Sequence, residues 1–237
     1  MGDKAHDKQL KNDERYKTDS MGRLNTLHAA LLDGGPLRLD GVTYYLHGGR
    51  VRACRSKRGP KRSRTEGEEA AMSRFTEVRK MWRMYRRATG DLPVWRVAAR
   101  EVGRTRGDTY FHSLNEGCIE AGRGVTAFGT FRFAAGSLEM PRLTAARREG
   151  WTVTLEWETG EDRPKAGWTD RVFVGYFHET LPRSPGMVTA AEARRADGRA
   201  TVTIPDLGQA EGGRLHLYLF FGNETLERFS PSVHAEV

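Results

Sequence analysis

The chain has 237 residues, 38% hydrophobic and 30% charged, with a formal net charge of +8. A mean hydropathy of −0.65, with no run approaching about 18 apolar residues, excludes a transmembrane helix. Two cysteines, Cys54 and Cys118, are too few for a disulfide framework or a cysteine-based zinc site.

The charge is uneven along the chain. Residues 1–127 hold 26 Lys and Arg against 16 Asp and Glu, a balance of +10, whereas residues 128–237 hold 13 against 15, a balance of −2. The asymmetry predicts that the N-terminal half meets an anionic partner.

Residues 1–20 are a charged leader of mixed sign, expected to be disordered. They contain no apolar core of a secretory signal, and His6 stands where a myristoylation motif has Ser or Thr. The expected location is therefore the cytoplasm or an assembled particle. Met21 leaves open whether the leader is an upstream extension. A short apolar run, Leu27 to Leu32, stops at Gly34-Gly35-Pro36.

Residues 42–47 and 50–55 flank Gly48-Gly49 and predict a β-hairpin, because glycine supplies the positive φ of a two-residue turn. Strand periodicity puts Arg50, Arg52 and Cys54 on one face and Val51, Ala53 and Arg55 on the other. A basic loop follows, so that Arg50 to Arg64 holds eight cations and no acid. Thr65 and Glu68 match a capping box, and a helix is expected from about 66 to 88. Ala71, Phe75, Val78, Trp82 and Tyr85 form its apolar stripe, with Lys80, Arg83, Arg86 and Arg87 largely off it. Asp91 is expected to cap a second helix carrying Trp95, Ala98, Ala99 and Val102. Asp108 is expected to open a third, with Phe111, Leu114 and Ile119; Gly122 and Gly124 end the helical region.

From about residue 128 the period becomes two. Trp151, Val153, Leu155 and Trp157 alternate with polar residues, as do Ala200, Val202 and Ile204; Val172, Val174 and Tyr176 occupy one face, as do Leu215, Leu217, Leu219 and Phe221. A last strand lies near 229–237. Six or seven strands without an intervening helix predict a β-sandwich, and their alternation predicts that 128–237 folds alone.

Met21-Gly22-Arg23-Leu24 before a Gly-Gly segment, Val51-Arg52 running into the basic loop, and Arg64-Thr65 at a helix start together resemble an uncharacterised family of bacterial proteins widespread in Bacteroidota. The loop resembles that family's G-K-x-x-x-R-S-x-P-K element, and Arg64-Thr65 its P-R-T element, with Ser63 in place of the proline. The resemblance spans about 21–237. It implies a helical middle followed by a fibronectin type III-like module, and no activity.

The sequence contains no G-x-S-x-G, Walker A, H-E-x-x-H or EF-hand motif. Cys118 and His112 lie six residues apart, which does not put a nucleophile and base on one helical face; a buried structural cysteine is the simpler reading. Glu156, Glu158, Glu161 and Asp162 could bind Ca²⁺ or act as acid and base, but strand alternation reads them as a solvated face. Trp168 is either exposed for a partner or packed beneath its loop.

The expected fold class is α+β: an N-terminal β-hairpin plus helices over 21–127, then an all-β immunoglobulin/fibronectin III-like sandwich over 128–237. The expected function is that of a non-enzymatic structural or interaction protein, a subunit of a phage- or mobile-element-encoded assembly. The alternative is a non-specific nucleic-acid-binding protein. Candidate anion- or partner-binding residues are Arg50, Arg52, Arg55, Lys57, Arg58, Lys61, Arg62, Arg64, Lys80, Arg83, Arg86 and Arg87. The expected partners are other protein subunits, with nucleic acid or another polyanion as the alternative; no cofactor, metal or membrane is expected.

Overall fold

The structure, a computed structural model, describes residues 35–47, 50–56, 63–206 and 213–237. The leader 1–20, the Met21–Leu24 motif, the Leu27–Leu32 run, the Gly48-Gly49 turn and the cations Lys57, Arg58, Lys61 and Arg62 lie outside the described residues. The chain forms two compact units, 1–63 and 64–237.

In the first unit β1 (Leu37–Leu39), β2 (Val42–His47) and β3 (Arg50–Arg55) form an antiparallel sheet in that order. His47 pairs with Arg50, leaving the two-residue connection that the hairpin reading expects. Strand β1 is an addition. It is joined to β2 by Asp40-Gly41, with φ of 46° and 76°. A tight hairpin needs positive φ at both of these positions, and Asp-Gly is one of the dipeptides that adopts it most readily.

The second unit begins with α1 (Glu66–Ala88). The capping box is formed: Glu68 N–H donates to Thr65 Oγ1 at 3.3 Å, and Thr65 N–H donates to Glu68 Oε2 at 3.0 Å. The apolar stripe is only half used. Val78 and Tyr85 are buried, joined by Met81, but every residue from 66 to 76 is exposed, Ala71 and Phe75 included. Because that first half stays exposed, with Phe75 against the His112 ring its one aromatic contact outside the helix among the described residues, the cap acts locally. Thr65→Ala is expected to cost about 0.5–2 kcal/mol of local opening. The amides of Glu68 and Glu69 should then exchange several-fold faster while the global unfolding midpoint hardly moves. Unchanged exchange at these amides would show that the cap does not hold the first turn.

Helix α2 runs from Val94 to Glu101 with Pro93 at its N-cap, and α3 from Gly107 to Asn115 with Arg106 at its N-cap. Asp91 is therefore not a cap. It has a φ of 62° and accepts a hydrogen bond from Arg86 Nε at 2.7 Å. Ile119 lies outside α3, in β4 (Ile119–Glu120), which pairs with β5 (Gly124–Val125). Val102 and Leu114 are exposed rather than core residues.

Among the described residues seven further strands follow. β6 (Leu143–Glu149), β7 (Thr152–Trp157) and β10 (Arg199–Thr203) form one antiparallel sheet in the order β10-β7-β6. β8 (Arg171–His178), β9 (Gly186–Arg194), β11 (Leu215–Gly222) and β12 (Val233–Glu236) form a second, in the order β12-β11-β8-β9. A core of Val153, Leu155, Trp157, Val172, Val174, Leu217, Leu219 and Phe221 lies between the two sheets.

Strands β8 and β11 are buried on both faces. Phe173 and Phe177 of β8 and Tyr218 and Phe220 of β11 belong to another core, with Val78, Met81, Tyr85, Trp95, Phe111, Phe131 and Phe133. Gly175 allows this layer to close: a Cβ there would lie 2.5 Å from the Phe133 ring. The helices and the four-stranded sheet thus share a core, and the chain divides at 63/64, not at the expected 127/128. The fold is mixed α+β with antiparallel sheets. Among the described residues no helix is long and apolar enough to cross a membrane.

Candidate partner-binding surface

Residues directly opposite one another in an antiparallel pair share a face of the sheet. In the small sheet Arg38 faces Thr43, Thr43 faces Cys54, and Tyr45 faces Arg52. One face therefore carries Arg38, Thr43, Tyr45, Arg50, Arg52 and Cys54. The other carries Leu37, Leu39, Val42, Tyr44, Leu46, Val51 and Ala53, with Arg55 at its end. Leu39 and Leu46 remain 48% and 42% exposed. Arg38, Arg50, Arg52 and Arg55 are exposed and form no ion pair among the described residues, and Asp40 is the sole acid described in this unit.

Arg50 and Arg52 thus share a face as the strand period indicates, and Arg55 lies on the other. Arg38 was missed because a three-residue strand, Leu-Arg-Leu, is too short for alternation to signal it; the Asp-Gly turn beside it was the available clue.

The remaining five described candidates belong to the larger unit, and two of them are already engaged. Glu77, 5% exposed, receives Lys80 Nζ at 3.3 Å and Arg183 Nε at 3.1 Å. Arg64 lines a shallow cleft beside this trio. Arg86 pairs with Asp91. Arg83 and Arg87 are exposed and make no ion pair among the described residues. Elsewhere in this unit Arg142 meets Glu158 at 3.5 Å, Arg147 meets Glu156 at 3.2 Å, and Arg214 meets Glu236 at 3.3 Å.

No protein-family model and no curated protein matches this chain.

Other candidate chemistry resolves into local structure. Cys118 is buried and its thiol donates to Asn115 O at 3.1 Å; burial pushes that thiol up to about 11. His112 Nδ1 instead faces Glu116 Oε2 at 3.1 Å. Among the described residues no group of His, Cys, Asp and Glu could hold a metal ion. Trp168 is 51% exposed, with its indole N–H donated to Gly160 O at 3.0 Å, so one edge is fixed while much of the side chain meets solvent.

Three further histidines, His178, His216 and His234, belong to the larger unit. His216 Nδ1 lies 3.1 Å from His234 Nε2, the Phe128 ring stacks on His216 at 3.9 Å, and His178 meets the edge of Trp151. Burial lowers all three below the ordinary imidazole value. The neighbouring His234 and Arg214 press His216 further down, whereas Glu236 and Glu179 pull it up. The unfolded chain takes up these protons below about pH 6.5 before the folded protein does, so stability present above that pH is lost as pH falls. Urea midpoints are expected to drop between about pH 7.5 and 5.5, by up to about 1.4 kcal/mol per pH unit for each histidine. A flat profile would contradict burial of neutral rings.

Proposed function

We propose that this protein is a non-enzymatic interaction protein, a subunit of a larger assembly of the kind that phages and mobile elements encode. In this reading residues 128–237 carry an immunoglobulin/fibronectin III-like sandwich, as in the Bacteroidota family that the chain resembles. The sandwich is a rigid spacer, and the small N-terminal sheet meets the partner. The observation that carries the reading is the two-sided sheet. Its apolar face keeps Leu39 and Leu46 half in solvent, and its opposite face presents cations without ion pairs among the described residues. Exposed apolar area next to uncompensated charge is what an association surface offers.

A second reading, non-specific nucleic-acid binding, is favoured by one feature: Tyr45 lies opposite Arg52 on the face that holds Arg38 and Arg50. An aromatic ring among cations suits base stacking beside phosphate contacts.

The variant Arg38→Ser/Arg50→Ser/Arg52→Ser separates the two. In the assembly reading it lowers the oligomer mass, and the wild type binds nucleic acid feebly at about 150 mM salt. In the nucleic-acid reading it weakens binding to any duplex and flattens the salt slope by about 2–3, while the mass stays unchanged. Folding stability is unaffected in both, because exposed cations contribute little to it. If neither mass nor binding moves, both readings fail.

A further inference from the structure

The first half of α1 carries a helical face that its own unit leaves in solvent. Glu68, Met72, Phe75 and Arg79 follow one another at spacings of four, three and four, which sets them in one row along the helix. All four are exposed, Met72 by 46% and Phe75 by 49%. Val78, Met81 and Tyr85, which hold α1 to the rest of its unit, stand on the neighbouring face.

The order of the row identifies a partner. It reads acid, apolar, apolar, cation. A second copy of the same helix laid parallel to it sets Glu68 against Glu68 and Arg79 against Arg79. Laid antiparallel, about a two-fold axis between Ser73 and Arg74, it sets Glu68 against Arg79 of the other copy and Met72 against the other copy's Phe75. Each contact then occurs twice, as a self-complementary two-fold interface requires. Charge complementarity of this kind fixes orientation as well as partner.

The charged ends are prepared for this pairing. One carboxylate oxygen of Glu68 accepts from Thr65 N–H at 3.0 Å, which orients the side chain and leaves its second oxygen for a partner. Arg79 makes no ion pair among the described residues, and its guanidinium lies 5.8 Å from the centre of the Phe75 ring. The apolar centre has room beside it. Phe75, Val78, Trp82 and His112 border a hollow of about 250 Å³ between α1 and α3, with the Phe75 and His112 ring centres 5.0 Å apart. A methionine set against Phe75 by a second copy reaches this hollow, and its unbranched thioether suits an irregular apolar gap. The row is about 17 Å long, about three turns, so the interface is small and its affinity modest.

We propose that two copies of this chain associate through this face of α1 as an antiparallel helix pair about a two-fold axis. The contact goes beyond the role given to the small N-terminal sheet and uses none of its residues.

The test is light-scattering mass of the full chain carrying Arg38→Ser/Arg50→Ser/Arg52→Ser, a background that weakens any contact made by the small sheet. A dimer, twice the 26.7 kDa of one chain, is expected at about 100 μM. On this background Phe75→Ser and Arg79→Glu should each weaken dimerisation at least about tenfold. Arg79→Glu places two acids together at both ends of the row, and Glu68→Lys places two cations there, so each alone should be monomeric. Mixed in equal amounts, these two variants should form a heterodimer, because each supplies the charge that the other has reversed. A misfolded variant could not give that result. A monomer at every concentration up to about 500 μM would overturn the proposal, and would leave the reading of the small sheet standing. So would a dimer that these substitutions leave intact, or two variants that stay monomeric when mixed.

Discussion

Residues 128–237 expressed alone are expected to remain unfolded, whereas 64–237 should fold cooperatively. The alternation of the C-terminal strands suggests that this region supplies its own core, and between the two sheets it does. The outer face of the four-stranded sheet is the difficulty. Phe177, Tyr218 and Phe220 are covered there by Phe131 and Phe133, and those two rings pack in turn on Phe111 and Tyr85, which the truncation removes. It also removes Val78, Met81 and Trp95 from the same core. Exposing Phe131 and Phe133 at about 1.5–3 kcal/mol each costs about 3–6 kcal/mol. That is a large share of the whole stability of a domain, about 5–15 kcal/mol. Circular dichroism and urea unfolding of the two fragments test this. A cooperative transition in 128–237 near the midpoint of 64–237 would show that the helices are dispensable.

Arg195→Met is expected to destabilise the protein by about 3–5 kcal/mol. Arg195 and Asp170 pair at 2.9 Å with side chains only 7% and 5% exposed. The guanidinium also donates to Glu139 O at 3.0 Å and lies 4.0 Å above the centre of the Phe221 ring. Asp170 immediately precedes β8 and Arg195 follows β9, so the pair closes one end of the core between the sheets. Burial raises the Asp170 carboxyl, and Arg195 offsets that rise. Without Arg195 the buried carboxylate has no counter-charge, and protonation becomes its relief. The deficit of the variant should therefore narrow as pH falls through the raised carboxyl value, because the folded state then holds a proton that the unfolded state holds less tightly. Asp170→Leu/Arg195→Met should recover most of the loss, since apolar replacement of a buried pair is often neutral. Urea midpoints of the three proteins decide it, and a loss below about 1 kcal/mol in Arg195→Met would contradict the account.

The parts of the fold legible in the sequence were those with local causes. Thr65 and Glu68 mark the start of α1, and Gly90 the end of its pattern, so its bounds Glu66–Ala88 follow from chemistry within a few residues. Strands β7 and β10 alternate between buried and exposed residues because one face of their sheet meets solvent. β6, with Ala145, Ala146, Arg147 and Arg148, and β9, rich in alanine, carry little strand propensity; they are strands because β7 and β8 pair with them. The two-sided burial of β11 was written in its sequence, Leu-His-Leu-Tyr-Leu-Phe-Phe, a nearly continuous apolar run rather than an alternation. The candidate surface divides in the same way. The shared face of Arg50 and Arg52 follows from strand periodicity, and Glu77 three residues before Lys80 foretells their pairing. The pairing of Arg86 with Asp91 depends on how the chain leaves α1, and the second cation on Glu77, Arg183, comes from a distant loop.

The proposal that the protein works as an assembly subunit is tested most directly by its light-scattering mass and its A260/A280 ratio, measured before and after a high-salt wash. The account predicts a multimer free of nucleic acid, whose mass falls when Arg38, Arg50 and Arg52 are replaced. A nucleic-acid-free monomer, with a mass that neither the wash nor the substitutions change, would contradict it.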